Sequence, residues 1–185
     1  MTGVSDLVVV SGPPGAGKTT VAGFLSHMFE PSALVAGDDF FAFIDQGYIP
    51  PWTAEAHQQN KTVVEAAAAA AGRLTLGGYT VIYDGGIGPW FLEPFHRAAA
   101  IDCLHYVLLL PPERDCVKRV GSRVGHGFTD LEAARHMYRE FADADIDPRH
   151  VVTITGAPAD IASSIFELMQ AGSLRVAIAP SARPS

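Results

Sequence analysis

The sequence predicts an α/β domain, a parallel sheet of about five strands with helices on both faces. Three observations lead there. Short, mostly apolar runs, among them Leu7–Ser11, Tyr79–Tyr83 and Leu104–Leu110, read as strands buried on both sides. Stretches with helical spacing separate them. The runs end in glycine or aspartate, at Gly12, Asp38-Asp39, Asp84 and Gly156, where sheets of this class bind ligands.

The elements follow in order. Leu7–Ser11 is the first strand, and Lys18–Phe29 a helix with Val21, Phe24, Leu25 and Met28 on one face. Ala33–Ala36 is a second strand ending at Gly37-Asp38-Asp39, and Phe40–Ile44 a helical turn. Gln46–Trp52 is a loop, with Thr53 as N-cap of a helix that runs through the alanines 66–71 to Leu76. Gly77-Gly78 ends it. Tyr79–Tyr83 is the third strand, Gly88–Phe91 a loop, Leu92–Ala100 a short helix and Leu104–Leu110 the fourth strand. A charged helix spans Glu113 to Val124, Gly125-His126-Gly127 breaks it, and Asp130–Ala142 is the next helix. Val151–Thr155 is the fifth strand and Ala159–Gln170 the last helix. Residues 1–175 are expected to form one domain, with 114–142 as a helical lid and 176–185 as a tail.

With 48% hydrophobic residues among 185, the chain can bury a core and is not a disordered segment. A net charge of −7 argues against a nucleic-acid or anionic-membrane partner. Cys103 and Cys116 have no metal spacing and read as reduced thiols. No basic leader precedes an apolar run, and no run spans a bilayer, so the expected location is the cytoplasm.

The chemistry begins at Gly12-Pro13-Pro14-Gly15-Ala16-Gly17-Lys18-Thr19-Thr20, which fits G-x-x-x-x-G-K-[ST] between a strand and a helix. Small residues let consecutive backbone N–H groups curl around a phosphate, and the helix N-terminus adds positive partial charge. Lys18 is placed on the β- and γ-phosphates of a nucleotide and the Thr19 hydroxyl on Mg²⁺. Asp84, after the third strand, is a candidate to orient the same Mg²⁺. Either Asp38 or Asp39, with Asp39 preferred, is a candidate base for an acceptor hydroxyl, the other capping the turn that follows. Trp90 and Phe91 are candidates to line the acceptor pocket, and His57, Gln58, Gln59 and Asn60 to hydrogen-bond a hydroxylated substrate. Gly156-Ala157-Pro158 is a candidate to pack on adenine.

Arg114, Lys118, Arg119, Arg123, Arg135 and Arg139 are six of the thirteen Lys and Arg residues, offset within their span only by Asp115, Asp130 and Glu132. This favours a lid that brings Arg119 and Arg123, four apart on one helix face, onto a transferring phosphate. No stacking aromatics alternate with these cations, which disfavours nucleic acid.

Together the phosphate loop, Gly37-Asp38-Asp39, the apolar strand ending in Asp84 and the arginine-bearing helix pair resemble small P-loop kinases of the shikimate/gluconate kinase and chloramphenicol phosphotransferase group, within the P-loop NTPase superfamily. Arg123-Val124-Gly125-His126, followed by a helix with Met137 and Phe141, is similar to the lid of gluconate kinases. Gly37-Asp38-Asp39 is similar to the segment that carries the catalytic aspartate of chloramphenicol phosphotransferase. The resemblance covers residues 5–170. It implies a three-layer fold and ATP–Mg²⁺-dependent phosphorylation of a small-molecule hydroxyl. Lys18 and Thr19 would bind phosphate and Mg²⁺, Asp38 or Asp39 would be the base, and Arg119 or Arg123 would act from the lid. Gluconate kinases carry a basic or histidine-rich segment after the acidic pair, where this chain has Phe40-Phe41-Ala42-Phe43, which points to a less charged, more apolar acceptor. The alternatives are a nucleoside or nucleotide kinase and a nucleotide-dependent switch ATPase. The lack of an Asn/Thr-Lys-x-Asp sequence disfavours GTP for the latter.

Overall fold

The computed structural model describes residues 5–122, 128–153 and 155–176. Strands β1 (Leu7–Ser11), β2 (Ser32–Ala36), β3 (Thr80–Asp84), β4 (Leu104–Leu109) and β5 (Val151–Val152) form a parallel sheet in the order β2-β3-β1-β4-β5. The helices are α1 (Lys18–Ser26), α2 (His57–Leu76), α3 (Pro89–Ala99), α4 (Glu113–Gly121), α5 (Leu131–Ala142) and α6 (Pro158–Gln170). The predicted fold class is the observed one.

The mostly apolar runs have a simple cause. Leu7 and Val9 of β1 face one layer, with Val81, Tyr83, Leu104, Tyr106 and the helices α2 and α3. Val8 and Val10 face the other, with Ile82, Val107 and the helices α1 and α6. Every residue of β1 is therefore buried, and alternation between polar and apolar disappears.

Three local differences from the sequence reading have physical reasons. Residues 89–91 open α3 rather than forming a loop, because Pro89 fits the first helical turn, where its missing N–H costs nothing. Thr53 gives no side-chain cap: a 3₁₀ turn at Ala54–Ala56 intervenes before α2. A short strand β6 (Arg175–Val176), too brief to leave a periodic signal, pairs antiparallel with Leu104–His105 of β4. The segment 123–127, which carries the expected helix break, lies outside the described residues. Among the described residues no helix is long and apolar enough to cross a membrane.

The alanine run of α2 works as a packing surface. Ala67, Ala68 and Ala71 are fully buried, and Gly72 lets α2 approach α3 so closely that a Cβ there would run into the Ala99 carbonyl oxygen. Substituting Gly72→Ala gains about 1 kcal/mol in helix propensity. It also forces apart two helices that cannot yield cheaply, at about 1–3 kcal/mol. The expected outcome is a lower melting temperature, read by circular dichroism. A melting temperature at or above the parent's would show that the helices part without cost.

Candidate active site

The parallel register brings the chemistry to one edge. Val10 of β1 pairs with Asp84 of β3, and Ala36 of β2 pairs with the same residue. The phosphate loop, the acidic pair and Asp84 thus leave three adjacent strands at one level.

The loop turns where Ala16 N–H bonds the Pro13 carbonyl (3.2 Å). Gly15 has φ +80°, and a Cβ there would strike the Cys116 carbonyl oxygen of α4. Gly17, with φ +99°, is the N-cap of α1 in the left-handed region and offers no side-chain cap. No acidic residue occupies the first turn either. The first-turn N–H groups of α1 therefore carry no side-chain cap and no neighbouring acid, an arrangement open to a phosphate. The loop carbonyls point outward and are met there. Arg119 Nη1 donates to Gly15 O (3.1 Å) and Ala16 O (3.4 Å), and Lys18 Nζ donates to Pro13 O (3.2 Å).

Asp84 is buried at the end of β3. Burial raises its carboxyl pKa. A hydrogen bond from the Thr19 hydroxyl and the Lys18 charge oppose that rise, and the Asp38 and Asp39 carboxylates add to it. These five residues therefore share one electrostatic neighbourhood. Thr19 and Thr20 are exposed on the first turn of α1, and Asp38 and Asp39 are exposed on the 3₁₀ turn Gly37–Phe43. A hydroxyl and one buried carboxylate beside a phosphate cradle match the donor set of Mg²⁺, which takes few protein ligands and keeps waters. Among the described residues no group of three His, Cys, Asp or Glu gathers as an all-protein metal cage.

Two buried hydroxyls that sequence reasoning passed over fix the turn after Asp84. Ser11 Oγ (2.7 Å) and Tyr106 OH (2.6 Å) both donate to the Ile87 carbonyl. Burial pushes the Tyr106 phenol up to about 12, offset in part by Ser11, so it stays a donor. Ser11 was visible as the lone polar residue of a buried strand. Tyr106 carried no signal.

The residues expected to meet an acceptor depart most from expectation. Gln59 does not face substrate: its Nε2 donates to Ile49 O (2.6 Å) and its Oε1 accepts from Ile49 N (2.8 Å). Asn60 Nδ2 donates to Pro51 O (2.7 Å). Both side chains tie down the loop between the 3₁₀ turn and α2. His57 and Gln58 remain exposed, His57 stacking on Phe91 at 5.2 Å. Phe91 is a core residue, whereas Trp90 is 44% exposed and rests on Phe141 of α5 at 5.4 Å. Trp52 meets Phe128 at 4.9 Å, joining the tied loop to the approach of α5.

Of the basic cluster, Arg119 reaches the loop. Arg135 is paired with Glu132 (2.6 Å), and Arg114 projects into solvent beside Asp115 (3.5 Å). Arg123 lies outside the described residues. Two grooves flank this region. The larger, about 470 Å³, is an open surface groove lined by Glu113, Arg114, Val117, Lys118 and Arg135, and contains no loop residue. The smaller, about 30 Å³, is lined by Ala16, Leu109, Arg119, Val152, Thr155 and Gly156 among others. Size does not decide between them. The smaller one places Gly156 beside Ala16 of the loop after β1.

Buried Asp84 supports a pH prediction. Its folded-state pKa is raised, so the unfolded chain releases this proton more readily. Ionisation therefore favours unfolding as pH climbs above the ordinary carboxylate value. In nucleotide-free protein, Asp84→Asn is expected to raise the melting temperature near pH 7, with the gain shrinking toward pH 4. A gain independent of pH would remove the buried charge as its cause.

No family model and no curated protein matches the chain. Solved structures do. A sugar kinase from Janibacter sp. HTCC2649 is similar over 90% of this chain and 95% of its own, with TM-score 0.66 and 17% identity. The tunicamycin resistance protein of Deinococcus radiodurans is similar over 96% and 99%, with TM-score 0.65 and 15% identity. The APS kinase CysC of Mycobacterium tuberculosis, solved with AMPPNP and APS, is similar over 90% and 98%, with TM-score 0.67 and 18% identity. At such identities the likeness shows the fold alone, an α/β architecture that this chain shares with these kinases and the resistance protein.

Proposed function

We propose that the protein transfers the γ-phosphate of ATP to a hydroxyl of a small molecule. One observation carries the reading. The uncapped N-terminus of α1, with Lys18, Thr19 and Asp84 beside it, stands in one electrostatic neighbourhood with two exposed carboxylates, Asp38 and Asp39. A phosphate cradle alone would serve any nucleotide-binding protein. The added carboxylates are what a transfer to an alcohol requires.

The backbone of residues 12–18 and the Lys18 ammonium hold the β- and γ-phosphates, with Thr20 beside them on the first turn. Thr19 and Asp84 would hold Mg²⁺, which supplies charge neutralisation at those phosphates. Arg119 steadies the loop through Gly15 and Ala16 and places positive charge beside it. Asp39, with Asp38 as its alternative, accepts the proton of the attacking hydroxyl. The Gly156-Ala157-Pro158 loop, beside Ala16 and Arg119 in the smaller groove, packs on the adenine. Catalysis then rests on positioning and charge stabilisation. The fold likeness to kinases, one of them solved with an ATP analogue, supports ATP as donor.

The test is ATP-to-ADP conversion with Mg²⁺ against sugar acids, aminocyclitols, chloramphenicol-like antibiotics and nucleosides, with mass spectrometry to find the added phosphate. Lys18→Ala is expected to lower turnover about a hundredfold or more while leaving the fold intact by circular dichroism. Retained turnover would sink the phosphate-loop assignment. Asp39→Asn is expected to lower kcat about a hundredfold or more with ATP affinity little changed. An unchanged kcat would move the base to Asp38.

A further inference from the structure

One side chain demands two glycines at the strand ends. A Cβ on Gly37, which follows β2, would run into the Tyr83 hydroxyl, and a Cβ on Gly85, which follows β3, would run into the Tyr83 ring. Neither glycine has the left-handed backbone, so what each supplies is space. Gly37 stands one residue beyond Ala36, the partner of Asp84, so the phenol reaches past the end of its own strand. It ends against the backbone that leads into Asp38 and Asp39. An edge-to-face contact with Phe95 of α3 (4.8 Å) sets the ring in place. Successive strand residues point to opposite faces. Asp84 accepts from Thr19 on the α1 side, while Tyr83 belongs to the layer of α2 and α3.

The hydroxyl makes no bond in the fold. Tyr106 and Tyr138 donate to the carbonyls of Ile87 (2.6 Å) and Pro111 (3.0 Å). The Tyr83 hydroxyl has no hydrogen-bond partner among the described residues, although the residue is only 2% exposed. It is not among the fully enclosed polar atoms that lack a partner, so the exposure that remains includes its oxygen. Burial, then the Asp38 and Asp84 carboxylates, hold its pKa above the ordinary phenol value, so at neutral pH it carries its proton. A buried donor without a partner destabilises a fold, and a ligand that supplies the partner gains from it.

We propose that Tyr83 binds the acceptor: its hydroxyl, left bare between Gly37 and Gly85, donates to a hydroxyl or carbonyl oxygen of that molecule other than the one phosphorylated. The inference rests on the phosphotransfer reading, in which Asp38 or Asp39 takes the proton of the reacting hydroxyl. It adds the floor of the acceptor site and the need for a second oxygen on the acceptor.

Tyrosine labelled with ¹³C at Cζ gives five signals, from Tyr48, Tyr79, Tyr83, Tyr106 and Tyr138, and Tyr83→Phe identifies the one that matters. The protein with MgADP would be titrated with gluconate, streptamine, chloramphenicol, adenosine and concentrated glycerol. At least one of these is expected to move the Tyr83 signal and leave that of Tyr106 still. Tyr83→Phe is expected to weaken the Kd of that probe, read by calorimetry, about fivefold or more, while the Kd for ATP stays within about twofold. Its melting temperature should equal or exceed the parent's. Tyr106→Phe, which removes a bonded hydroxyl, should lower it by about 2 °C or more. A Tyr83 signal that no probe moves, an unchanged probe Kd, or a melting temperature that falls as far as in Tyr106→Phe overturns the inference. The probes are then assayed for phosphate transfer. Transfer with no response at Tyr83 overturns the contact and keeps phosphotransfer. A response at Tyr83, with binding weakened in Tyr83→Phe and no transfer, keeps the contact and removes phosphotransfer.

Discussion

A loop that turns its N–H groups inward to meet a phosphate must turn its carbonyls outward, and those carbonyls need donors. The rest of the site depends on how this chain meets that requirement. Arg119 reaches from α4 to the carbonyls of Gly15 and Ala16, and Lys18 reaches back to that of Pro13. Both contacts satisfy loop carbonyls and so hold the turn in its shape. They also explain the closeness of α4 to the loop, where the Cys116 carbonyl leaves no space for a side chain at residue 15. Loop and helix hold each other.

The buried end of β3 makes a second demand. Asp84 is placed in low-dielectric surroundings beside other carboxylates, and burial outweighs the relief that Thr19 and Lys18 give its charge. Its position is nonetheless tightly determined, since Ser11 and Tyr106 hold the turn that follows through one carbonyl. The site combines a rigid frame with unfavourable local electrostatics. That combination is typical of a place built to receive charge from outside.

Much of the fold was legible because burial on both faces leaves unmistakable apolar runs, and because glycine and aspartate punctuate them. The glycine-rich turn after β1 was legible because its backbone demands glycine, through sterics and φ at residue 15 and through φ at residue 17. The acceptor side was harder. Gln59 and Asn60 look like substrate-binding residues in sequence, yet their partners are backbone atoms of residues 49 and 51, whose orientation no sequence pattern reveals. Trp90 and Phe91 are neighbours with opposite fates, one half exposed and one buried, because helical geometry separates them by about 100°. Arg119 was singled out as a residue for the phosphate. Its bonds to the loop carbonyls could not be inferred without knowing that α4 lies against the loop.

The outer edge of β4 has a consequence beyond the site. An open strand edge invites pairing with a neighbouring molecule and so seeds fibrous assembly. Here β5 covers Leu108 and Leu109, and β6 covers Leu104 and His105 from the opposite direction. Between them, Tyr106 gives its N–H to Leu174 (2.9 Å), and its carbonyl receives the His150 ring Nδ1–H (3.0 Å). Two strands of two residues each, and one histidine, close a six-residue edge. Residues 174–176 thus cover the start of β4, where β5 does not reach, and leave that stretch no unpaired backbone to offer a neighbouring chain.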